Sequence, residues 1–465
     1  MLRFTQSCLL LCFLLFTILT ASAAEIQPVK YVFLFIGDGM SFPQCQMAEE
    51  FVLKTDNRGL RINAMPYESV TKTHAANAFI TESAAAGTAI ACGEKTNNGM
   101  IGIAPNGDRL ESIAEVAHKS GRKVGIISSV TINHATPAAF YAHNASRGNE
   151  YEIGLDLIAS GFEYFGGGGI AQHDSKGTSI YTLAQEAGYT VCRSDDEIRS
   201  LKPGAGKVIA LGSAEALPYA IDSGNKGLRL TDYTRQAIEL LDNPHGFFIM
   251  VEGGKIDWAC HNNDAAAATL DIIEFDHAVE TAFDFAKKNP GEVLVVVTGD
   301  HETGALTLGL RGSSQIFVNL LSNQKASRDV LFGLTDKFMK DNKEEATFEQ
   351  FKPIITEKCG LVFSETEKSQ PGNLILTAEE IKNLEYDFGI TKSAVLENTT
   401  GKETLARTMI RVLNNKVGVS WGSSDHTALP VNTSVWGNQA AETAKNIRDN
   451  TDIARQLKQA VVQLP

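Results

Sequence analysis

The chain has 465 residues, of which 43% are hydrophobic and 21% are charged, and its formal net charge at pH 7 is −13. A chain of this length can bury a large core without disulfide cross-links. Its negative charge repels nucleic-acid phosphates at long range, so we expect no nucleic-acid partner. An anionic ligand would need local positive charge from metal ions or arginine.

Residues 1–24 have the composition of a secretory signal peptide. Arg3 supplies positive charge, residues 9–20 are almost entirely apolar, and Ala21-Ser22-Ala23 offers small residues for cleavage. The apolar run is too short to span a bilayer, and the C-terminal residues do not have the composition of a lipid-anchor signal. We therefore expect an exported protein, periplasmic or extracellular, without a stable membrane anchor, in which residues 25–465 form a single domain.

Four apolar runs of strand length recur, and each precedes a helical pattern. Runs rich in β-branched and aromatic residues are typical of strands buried on both faces. Helices are predicted at 231–241 and at 264–288, where an Asn-Pro pair ends the second pattern. The predicted fold class is α/β, a three-layer sandwich with a large, mainly parallel central sheet. The four runs are 31–36 (YVFLFI), 123–128 (KVGIIS), 246–251 (GFFIMV) and 293–298 (VLVVVT).

Two glycine-rich stretches, 166–169 (GGGG) and 202–207 (KPGAGK), are predicted to be surface turns. The second does not have the glycine spacing of a phosphate-binding P-loop. From about 311 to 417 the chain is richer in Lys and Glu and has short amphipathic helical patterns with few strands. We interpret this segment as a helical and loop insertion in the single domain, not as an independent domain.

Five cysteines follow residue 24, and they are odd in number and widely spaced. Their spacing matches no CxxC zinc motif and allows at most two disulfides, whose pairing the sequence does not define. The five are Cys45, Cys92, Cys192, Cys260 and Cys359.

Three of the predicted strands end at a carboxylate, and each of these acids has a glycine next to it in the sequence. Asp38 follows the run at 31–36, Glu252 the run at 246–251 and Asp300 the run at 293–298. Ligands of open parallel sheets bind outside the carboxyl ends of the strands. A single acid there is usually a turn or cap residue, but three at one edge would repel each other unless cations lie among them. The pattern favours a metal centre.

Three histidines lie close to an acid in the sequence. His261 is four residues after Asp257, His301 follows Asp300, and His426 follows an aspartate. Residues four apart on a helix project to the same side, as metal ligands do. Sites containing imidazole suit zinc, whereas an all-oxygen site suits magnesium. We predict that all three histidines bind metal.

The stretch ITESAAAGTA, residues 80–89, has Glu82 and Ser83 at the head of a run of small residues. Alanine favours helix and serine is common at a helix start, so one interpretation is a capped, closely packed helix. The alternative is a nucleophile, Ser83, in the positive field of a helix N-terminus, where an anion binds favourably. These ten residues alone leave both interpretations open.

A second polar stretch, HATPAAFYAHNASR (residues 134–147), offers two further candidates. Thr136 could add a hydroxyl group to an oxygen-rich metal site. Arg147 is predicted to end a short helix that begins at Pro137. An isolated arginine is more commonly a surface cation, but near metal ions its planar guanidinium binds phosphate through two hydrogen bonds.

Six motifs, taken together and in order, resemble those of alkaline phosphatases. They are GDGM, TESAAAGTA, HATPAAFYAHNASR, VEGGKIDWACH, TGDHETG and SSDHT. The resemblance spans residues 31–427, is weakest over the predicted insertion, and is to secreted bacterial members of the family. It implies that Ser83 is a nucleophile that becomes phosphorylated and that Arg147 binds the phosphate.

The resemblance also implies two zinc ions and one magnesium ion, and it implies a broad range of phosphomonoester substrates with release of inorganic phosphate. By analogy with the family, a homodimer is a possible assembly. The implied ligands are Asp257, His261 and His426 for one zinc, Asp38, Asp300 and His301 for the second, and Asp38, Thr136 and Glu252 for magnesium.

The sequence departs from enterobacterial alkaline phosphatases near the predicted phosphate site. His134 and Trp258 stand where those enzymes have Asp and Lys, so we place both residues in the vicinity of the phosphate. Trp258 lacks the charge with which lysine holds phosphate. His134 leaves open whether the third site prefers magnesium or zinc.

Four alternative functions differ in their sequence requirements. A sulfatase needs a CxPxR segment and a serine esterase of the common type needs GxSxG, and the sequence contains neither. A phosphodiesterase of the same superfamily usually lacks this full set of magnesium ligands. A non-catalytic phosphate- or metal-binding protein would keep the ligands without using Ser83.

Overall fold

The computed structural model describes residues 28–175, 177–224, 227–310, 314–363 and 372–462. The predicted signal peptide at 1–24 lies outside these residues. Within the described residues, none of the helices combines the length and apolar character needed to cross a membrane. The strands are β1 (Tyr31–Gly37), β2 (Tyr67–Thr71), β3 (Lys123–Thr131), β4 (Tyr164–Gly168), β5 (Asp174–Ser175), β6 (Thr178–Ser179), β7 (Tyr189–Cys192), β8 (Lys207–Leu211), β9 (Phe247–Glu252), β10 (Val293–Gly299), β11 (Glu302–Thr303), β12 (Leu306–Leu308), β13 (Val419–Trp421), β14 (His426–Thr427) and β15 (Val431–Gly437).

Helices surround these strands, and three short 3-10 helices occur at Ile62–Ala64, Val318–Asn323 and Lys343–Glu345. The α-helices are α1 (Phe42–Thr55), α2 (Ser83–Cys92), α3 (Ile113–Lys119), α4 (Ala135–Ala138), α5 (Glu150–Ser160), α6 (Ile180–Glu186), α7 (Asp195–Ser200), α8 (Ala220–Ser223), α9 (Leu230–Leu241), α10 (Lys255–His261), α11 (Ala265–Lys288), α12 (Arg328–Asn342), α13 (Phe348–Cys359), α14 (Ala378–Leu396), α15 (Thr404–Val417), α16 (Ala440–Lys445) and α17 (Asn450–Val462).

Nine strands form the central sheet in the order β2-β15-β10-β1-β9-β3-β4-β8-β7. The pairings from β10 to β7 are all parallel, whereas β15 pairs antiparallel with both β10 and β2. The mainly parallel sheet and the α/β class are therefore confirmed. The four predicted strands form its centre, and the two predicted helices correspond to α9 and α11.

Alternate residues of the central strands pack on opposite faces of the sheet, as the period of a strand requires. In β1, Phe33 and Phe35 belong to an apolar cluster with α1, α9 and α11. Val32 and Leu34 belong to a second cluster with α2, α3 and α17. Both faces are thus covered by helices, which confirms the three-layer sandwich.

The prediction of a surface turn at residues 166–169 is wrong, because Gly166, Gly167 and Gly168 lie in the buried strand β4. A Cβ atom at Gly167 would lie 1.9 Å from the carbonyl oxygen of Ser128, and one at Gly168 would lie 2.3 Å from that of Val130. Glycine here permits a close approach of two backbones. Residues 202–206 form a largely exposed turn, as predicted, and Lys207 begins β8.

The helices α12 to α15 enclose a cluster of buried apolar side chains of their own. Phe351, Phe388 and Met409 contribute to this cluster from three of the helices. The predicted helical character of residues 311–417 is therefore observed in their described part. Their interpretation as an insertion within one domain stays a prediction.

The five described cysteines are all free thiols. Cys45 is partly exposed and the other four are buried. Burial raises the pKa of the Cys92 thiol to about 12, with nearby carboxylates contributing, which keeps it protonated. The fold is therefore held by its core and not by disulfides.

Candidate metal and phosphate site

Three carboxylates lie at one edge of the sheet, where β10, β1 and β9 end side by side. Asp38 and Asp300 follow Gly37 and Gly299, which are partners in the β1–β10 register. Glu252 is the last residue of β9 and pairs with Ile36 of β1. All three side chains are completely buried. The predicted convergence of three strand-end acids is thus observed.

Burial of these carboxylates strongly disfavours their ionised forms. Burial, together with the charges of Asp300 and Asp257, raises the pKa of Asp38 well above its usual value. Burial and the charge of Asp257 do the same for Asp300. Burial raises the pKa of Glu252 to about 7, although hydrogen bonds such as that from Ser128 oppose the shift. A protein at neutral pH needs cations here to keep this cluster ionised.

Several ligand atoms of this cluster have no hydrogen-bond partner within the described chain. They are Asp38 Oδ1, Asp300 Oδ2, Glu252 Oε1 and His134 Nδ1. Buried polar atoms are almost always satisfied in folded proteins, so four unpaired atoms in one place indicate missing electrophilic partners. Two groups whose ligand atoms lie within 4.8 Å of one another contain these atoms, namely Asp38, Asp300 and His301, and Asp38, His134 and Glu252. Their donor sets fit divalent cations.

A third group combines one carboxylate with imidazoles. Asp257 and His261 lie on the short helix α10, and the Nε2 atom of His261 is 3.2 Å from Asp257 Oδ2. His426 Nε2 lies 3.1 Å from His261 Nε2 and 3.6 Å from Asp257 Oδ1. The ring of His301 stacks on that of His426 with centroids 3.7 Å apart. The structure thus brings together all the predicted imidazole ligands.

The grouping differs in two respects from the one that the motif resemblance implies. Asp257, His301 and His426 form one group of close ligand atoms, and His301 also belongs to the group with Asp38 and Asp300, so His301 lies between the first and second predicted sites. His134, which was predicted to lie near the phosphate and to bear on the metal preference of the magnesium site, forms a group with Asp38 and Glu252. Thr136 is also there, since its hydroxyl donates to Asp38 Oδ2 at 3.3 Å.

Ser83 is the first residue of α2 and is almost fully buried. Its hydroxyl oxygen lies 3.4 Å from His301 Nε2. The helix packs closely on α4, because a Cβ at Gly87 would lie only 3.2 Å from the Cα of Thr136. The small residues therefore let the start of α2 approach the metal-ligand cluster.

Glu82, and not Ser83, is the N-cap of this helix. Its carboxylate accepts hydrogen bonds from the amides of Ala84 and Ala85 at 3.0 and 2.9 Å. It also accepts from the amide of Gly99 at 2.8 Å and from the guanidinium of Arg147. Because Glu82 accepts the hydrogen bonds of the first helix amides, the hydroxyl of Ser83 is not needed as a helix cap and can contact a ligand.

Arg147 lies in a loop, so the prediction that it ends a helix begun at Pro137 is wrong. Helix α4 stops at Ala138, and the amide of Arg147 instead donates to Gly99 O at 2.8 Å. The guanidinium Nη2 lies 3.0 Å from His134 Nε2, and the side chain is about one-third exposed at 34%. Arg147 is thus held beside Ser83 with part of its surface open to a ligand.

His134 is neutral in this arrangement, because burial and then the charge of Arg147 lower its pKa to about 3. Its ring lies edge-to-face on Trp258 with centroids 6.2 Å apart. Trp258 in turn packs under the Lys255 ammonium, which is 4.4 Å from its ring centroid. His134 therefore contacts both Trp258 and Arg147. The position of His134 and Trp258 beside a bound phosphate stays a prediction.

Two supporting residues were not predicted from the sequence. Thr303 donates to Asp257 Oδ1 at 2.6 Å, and its hydroxyl oxygen is 3.2 Å from His301 Nδ1. Ser128 donates to Glu252 Oε2. Partners of this kind orient metal ligands. Thr303 lies inside the motif TGDHETG, so its position in a motif was a signal that could have identified it. Ser128 lies inside an apolar strand, where a serine gives no such signal.

A sheet edge that carries three groups of metal-ligand side chains beside a serine at a helix start defines a class of metal-dependent hydrolases. The family model described as alkaline phosphatase matches residues 29–161 and 172–463. Alkaline phosphatase 4 of Bacillus subtilis (strain 168) is 31% identical over 452 residues, which cover 94% of this chain and 89% of the relative. The chain therefore belongs to the alkaline phosphatase family, and it is a phosphomonoesterase.

Solved structures agree with this assignment. The cold-active alkaline phosphatase of the psychrophile Shewanella sp. superposes with a TM-score of 0.79 at 26% identity, covering 93% of this chain and 99% of the other. The Thermus thermophilus alkaline phosphatase gives a TM-score of 0.78 at 26% identity, covering 96% of both chains. The fold and the reaction class are thus those of the family that the motifs resemble.

Proposed function

We propose that the protein hydrolyses a broad range of phosphate monoesters through a phosphoserine at Ser83, with two zinc ions and one magnesium ion. The observation that carries this proposal is the position of the Ser83 hydroxyl, 3.4 Å from His301 Nε2 and at the edge of a buried carboxylate cluster with unpaired oxygens. A serine in this position without a cationic partner would be a poor nucleophile near neutral pH.

The ligands would divide by donor chemistry. Asp257, His261 and His426 would hold one zinc, and Asp38, Asp300 and His301 would hold the second, because imidazole suits zinc. Asp38, Thr136 and Glu252 would hold magnesium, with His134 as a neighbouring nitrogen donor. When bound, the ions supply positive charge that favours ionised oxygen atoms at the nucleophile and at the leaving group.

The chain itself supplies the remaining steps. The Ser83 hydroxyl gives its proton to water as its oxygen attacks phosphorus and a new O–P bond forms. The bond from phosphorus to the alcohol oxygen breaks, and this oxygen takes up a proton from water, so the alcohol leaves. Arg147 donates hydrogen bonds to the phosphoryl oxygens, and the start of α2 favours their negative charge. Water then attacks phosphoserine, which releases inorganic phosphate and restores the hydroxyl of Ser83.

Ser83, Arg147 and the start of α2 would act on the phosphoryl group, and none of them would recognise the carbon skeleton of the alcohol, which supports broad specificity. We further propose that residues 1–24 direct export to the periplasm or the extracellular space. By analogy with the family, we propose that the protein forms a homodimer.

The test uses the purified protein with p-nitrophenyl phosphate, bis(p-nitrophenyl) phosphate and p-nitrophenyl sulfate. We expect the monoester to be by far the best substrate. A preference for the diester or the sulfate would assign a different hydrolase. Elemental analysis should give about two zinc and one magnesium per chain, and activity lost on chelation should return with both metals.

The phosphoserine is tested by acid quenching with radiolabelled inorganic phosphate and mapping the label. We expect it on Ser83, and we expect Ser83→Ala to lose at least a thousandfold in kcat, as removal of a nucleophile does. Thr88→Ala is the control, because its hydroxyl lies on the same helix but bonds to the Gly102 amide. Phosphate binding without turnover in the unmodified protein would indicate a non-catalytic binder.

A further inference from the structure

A polar groove of about 1010 Å³ adjoins the imidazole group of the site. His261, a predicted zinc ligand, lines it together with Arg328, Arg407 and Arg411. We refer to it as the arginine groove. The Nδ1 atom of His261 lies 2.5 Å from Ser424 O, and Ser424 also lines the groove. His261 therefore belongs both to the metal-ligand group and to the lining of the groove.

The arginines are arranged to face one ligand. Arg407 and Arg411 are four residues apart on α15, so they project from the same side of this helix. Arg328 is the first residue of α12, and its guanidinium donates to Asn262 O at 3.2 Å, next to His261. Three cations from two helices thus surround one opening.

The charge of the groove is opposite to that of the protein. The chain as a whole carries −13, yet Asp387 is the single carboxylate among the described residues that line the groove. Glu403 lies beside it and pairs with Arg407 at 2.9 Å and with Arg328 at 3.4 Å. Arg411 donates to Thr408 Oγ1 at 3.2 Å and forms no ion pair with any described residue. Among the residues that line the groove, three guanidinium groups therefore outnumber one carboxylate, whereas Glu403, Asp329 and Asp264 lie near Arg328 without lining it.

Arginine clusters of this kind bind phosphate through paired hydrogen bonds. Under the proposed function the phosphoryl group that reacts is bound by Arg147, which contacts Glu82 and His134 and does not line the groove. Because the Ser83 hydroxyl lies beside His301 of the second proposed zinc set, we take the first set, Asp257, His261 and His426, as the one that would face the departing alcohol. The arginine groove adjoins this first set through His261. A second anion on that alcohol would enter the groove.

We propose that the arginine groove binds a second phosphate carried by the alcohol of the substrate, so that the preferred substrates are bisphosphorylated compounds. This inference rests on the proposed phosphomonoesterase mechanism. The enzyme would still hydrolyse monoesters that carry a single phosphate. A second phosphate on the alcohol would add binding free energy through contacts outside the reacting phosphoryl group.

The experiment compares alkane-α,ω-diol monophosphates and bisphosphates of three, six and nine carbons with the metal-loaded enzyme. After division by two for the two equivalent phosphates, we expect kcat/KM to be about tenfold higher for a bisphosphate of optimal length, as one charge-assisted hydrogen-bonded contact provides. The advantage should fall as ionic strength rises. Equal values for mono- and bisphosphates at every length would overturn the inference.

The double variant Arg407→Gln/Arg411→Gln should lose this advantage, while p-nitrophenyl phosphate hydrolysis stays within about twofold of the unmodified enzyme. Arg235→Gln is the matched control. Arg235 is an exposed helical arginine, paired with Asp232 at 3.3 Å on α9, outside the residues that line the groove.

The control variant should keep the bisphosphate preference. A double variant that retains the preference would refute the arginine groove as its cause. A protein inactive toward all monoesters would instead refute the proposed function, because the unmodified enzyme then lacks the basal reaction.

Discussion

The carboxylate of Glu82 caps the helix that carries Ser83 and binds the guanidinium of Arg147. One side chain thus fixes both the serine oxygen and the cation beside it. Burial of Glu82 opposes its ionisation, but the charge of Arg147 and the amide of Gly99 lower its pKa, so it remains a carboxylate near neutral pH.

Replacing Glu82 should therefore affect stability and substrate binding together. We expect Glu82→Ala to lower the free energy of unfolding by about 1–2 kcal/mol through loss of the cap. It should also raise KM for p-nitrophenyl phosphate about tenfold, since Arg147 loses its anchor. Urea denaturation and steady-state kinetics measure the two effects.

Ser112→Ala provides the control, because Ser112 caps α3 through the amide of Glu115 at 3.1 Å. It should cost similar stability and leave KM unchanged. If both variants raised KM alike, the effect of Glu82 would be one of general destabilisation and not of Arg147 positioning.

Gly39 follows Asp38 with a φ of +72°, and a Cβ atom there would lie 2.8 Å from Asp257 Oδ1. We expect Gly39→Ala to displace Asp257 and to reduce metal affinity about ten- to hundredfold, comparable to the loss of a ligand-orienting partner. Metal content after dialysis measures this. Gly107→Ala has a similar φ of +92° with open space around it, so it should cost stability alone. Equal metal content in the two variants would contradict the prediction.

Trp258 contacts His134, which in turn contacts Arg147, and its side chain carries no charge. We expect Trp258→Lys to lower the inhibition constant of inorganic phosphate about tenfold through a new cationic contact, and to lower kcat because phosphate is released more slowly. Trp258→Phe keeps an aromatic ring beside Lys255 and His134 and should leave the inhibition constant within about twofold. An unchanged constant in the lysine variant would refute this role.

Removal of metals should make stability depend on pH. A carboxyl group whose pKa is higher in the folded than in the unfolded state destabilises the fold as it ionises. The contribution of Glu252 to the stability of the chelated protein should therefore be fully present below pH 4.5, its ordinary pKa, and be lost as pH rises to about 7, its folded value. The raised pKa values of Asp38 and Asp300 act in the same direction.

Urea unfolding of chelated and metal-loaded protein between pH 4.5 and 8 measures this difference. The comparison is needed because other buried acids, such as Asp271 with a pKa raised to about 8 by burial, titrate in both forms. Glu252→Gln should flatten part of the slope of the chelated protein. Parallel pH profiles for the two forms would count against a metal-neutralised carboxylate cluster.

The sequence analysis located the central strands and the strand-end acids because both depend on local patterns. Continuous apolar runs identify buried parallel strands such as β1, and the acid after each run then has a defined place at the sheet edge. The glycines of β4 were misassigned because their purpose is a contact with Ser128 and Val130, which lie about forty residues away and leave no local signal.

The predicted ligands lie close together, as expected, but their division among the metal sites could not be predicted from their spacing in the sequence. Whether His301 belongs to one group or two depends on the stacking of its ring on His426, a contact between residues 125 positions apart. The grouping of His134 with Asp38 and Glu252 likewise depends on the path of the chain after helix α4. Up to Arg147 this segment pairs with Gly99 and Ile101 instead of continuing as a helix.

His426 reaches the site on β14, a two-residue strand that pairs with Glu302 and Thr303 only after the chain has passed through α12 to α15. The acids of the sheet edge therefore precede this last imidazole by more than a hundred residues of chain. A polypeptide that ended before residue 426 would contain the acids of the sheet edge but would lack one ligand of the complete set, so enzymatic competence depends on the C-terminal part of the chain.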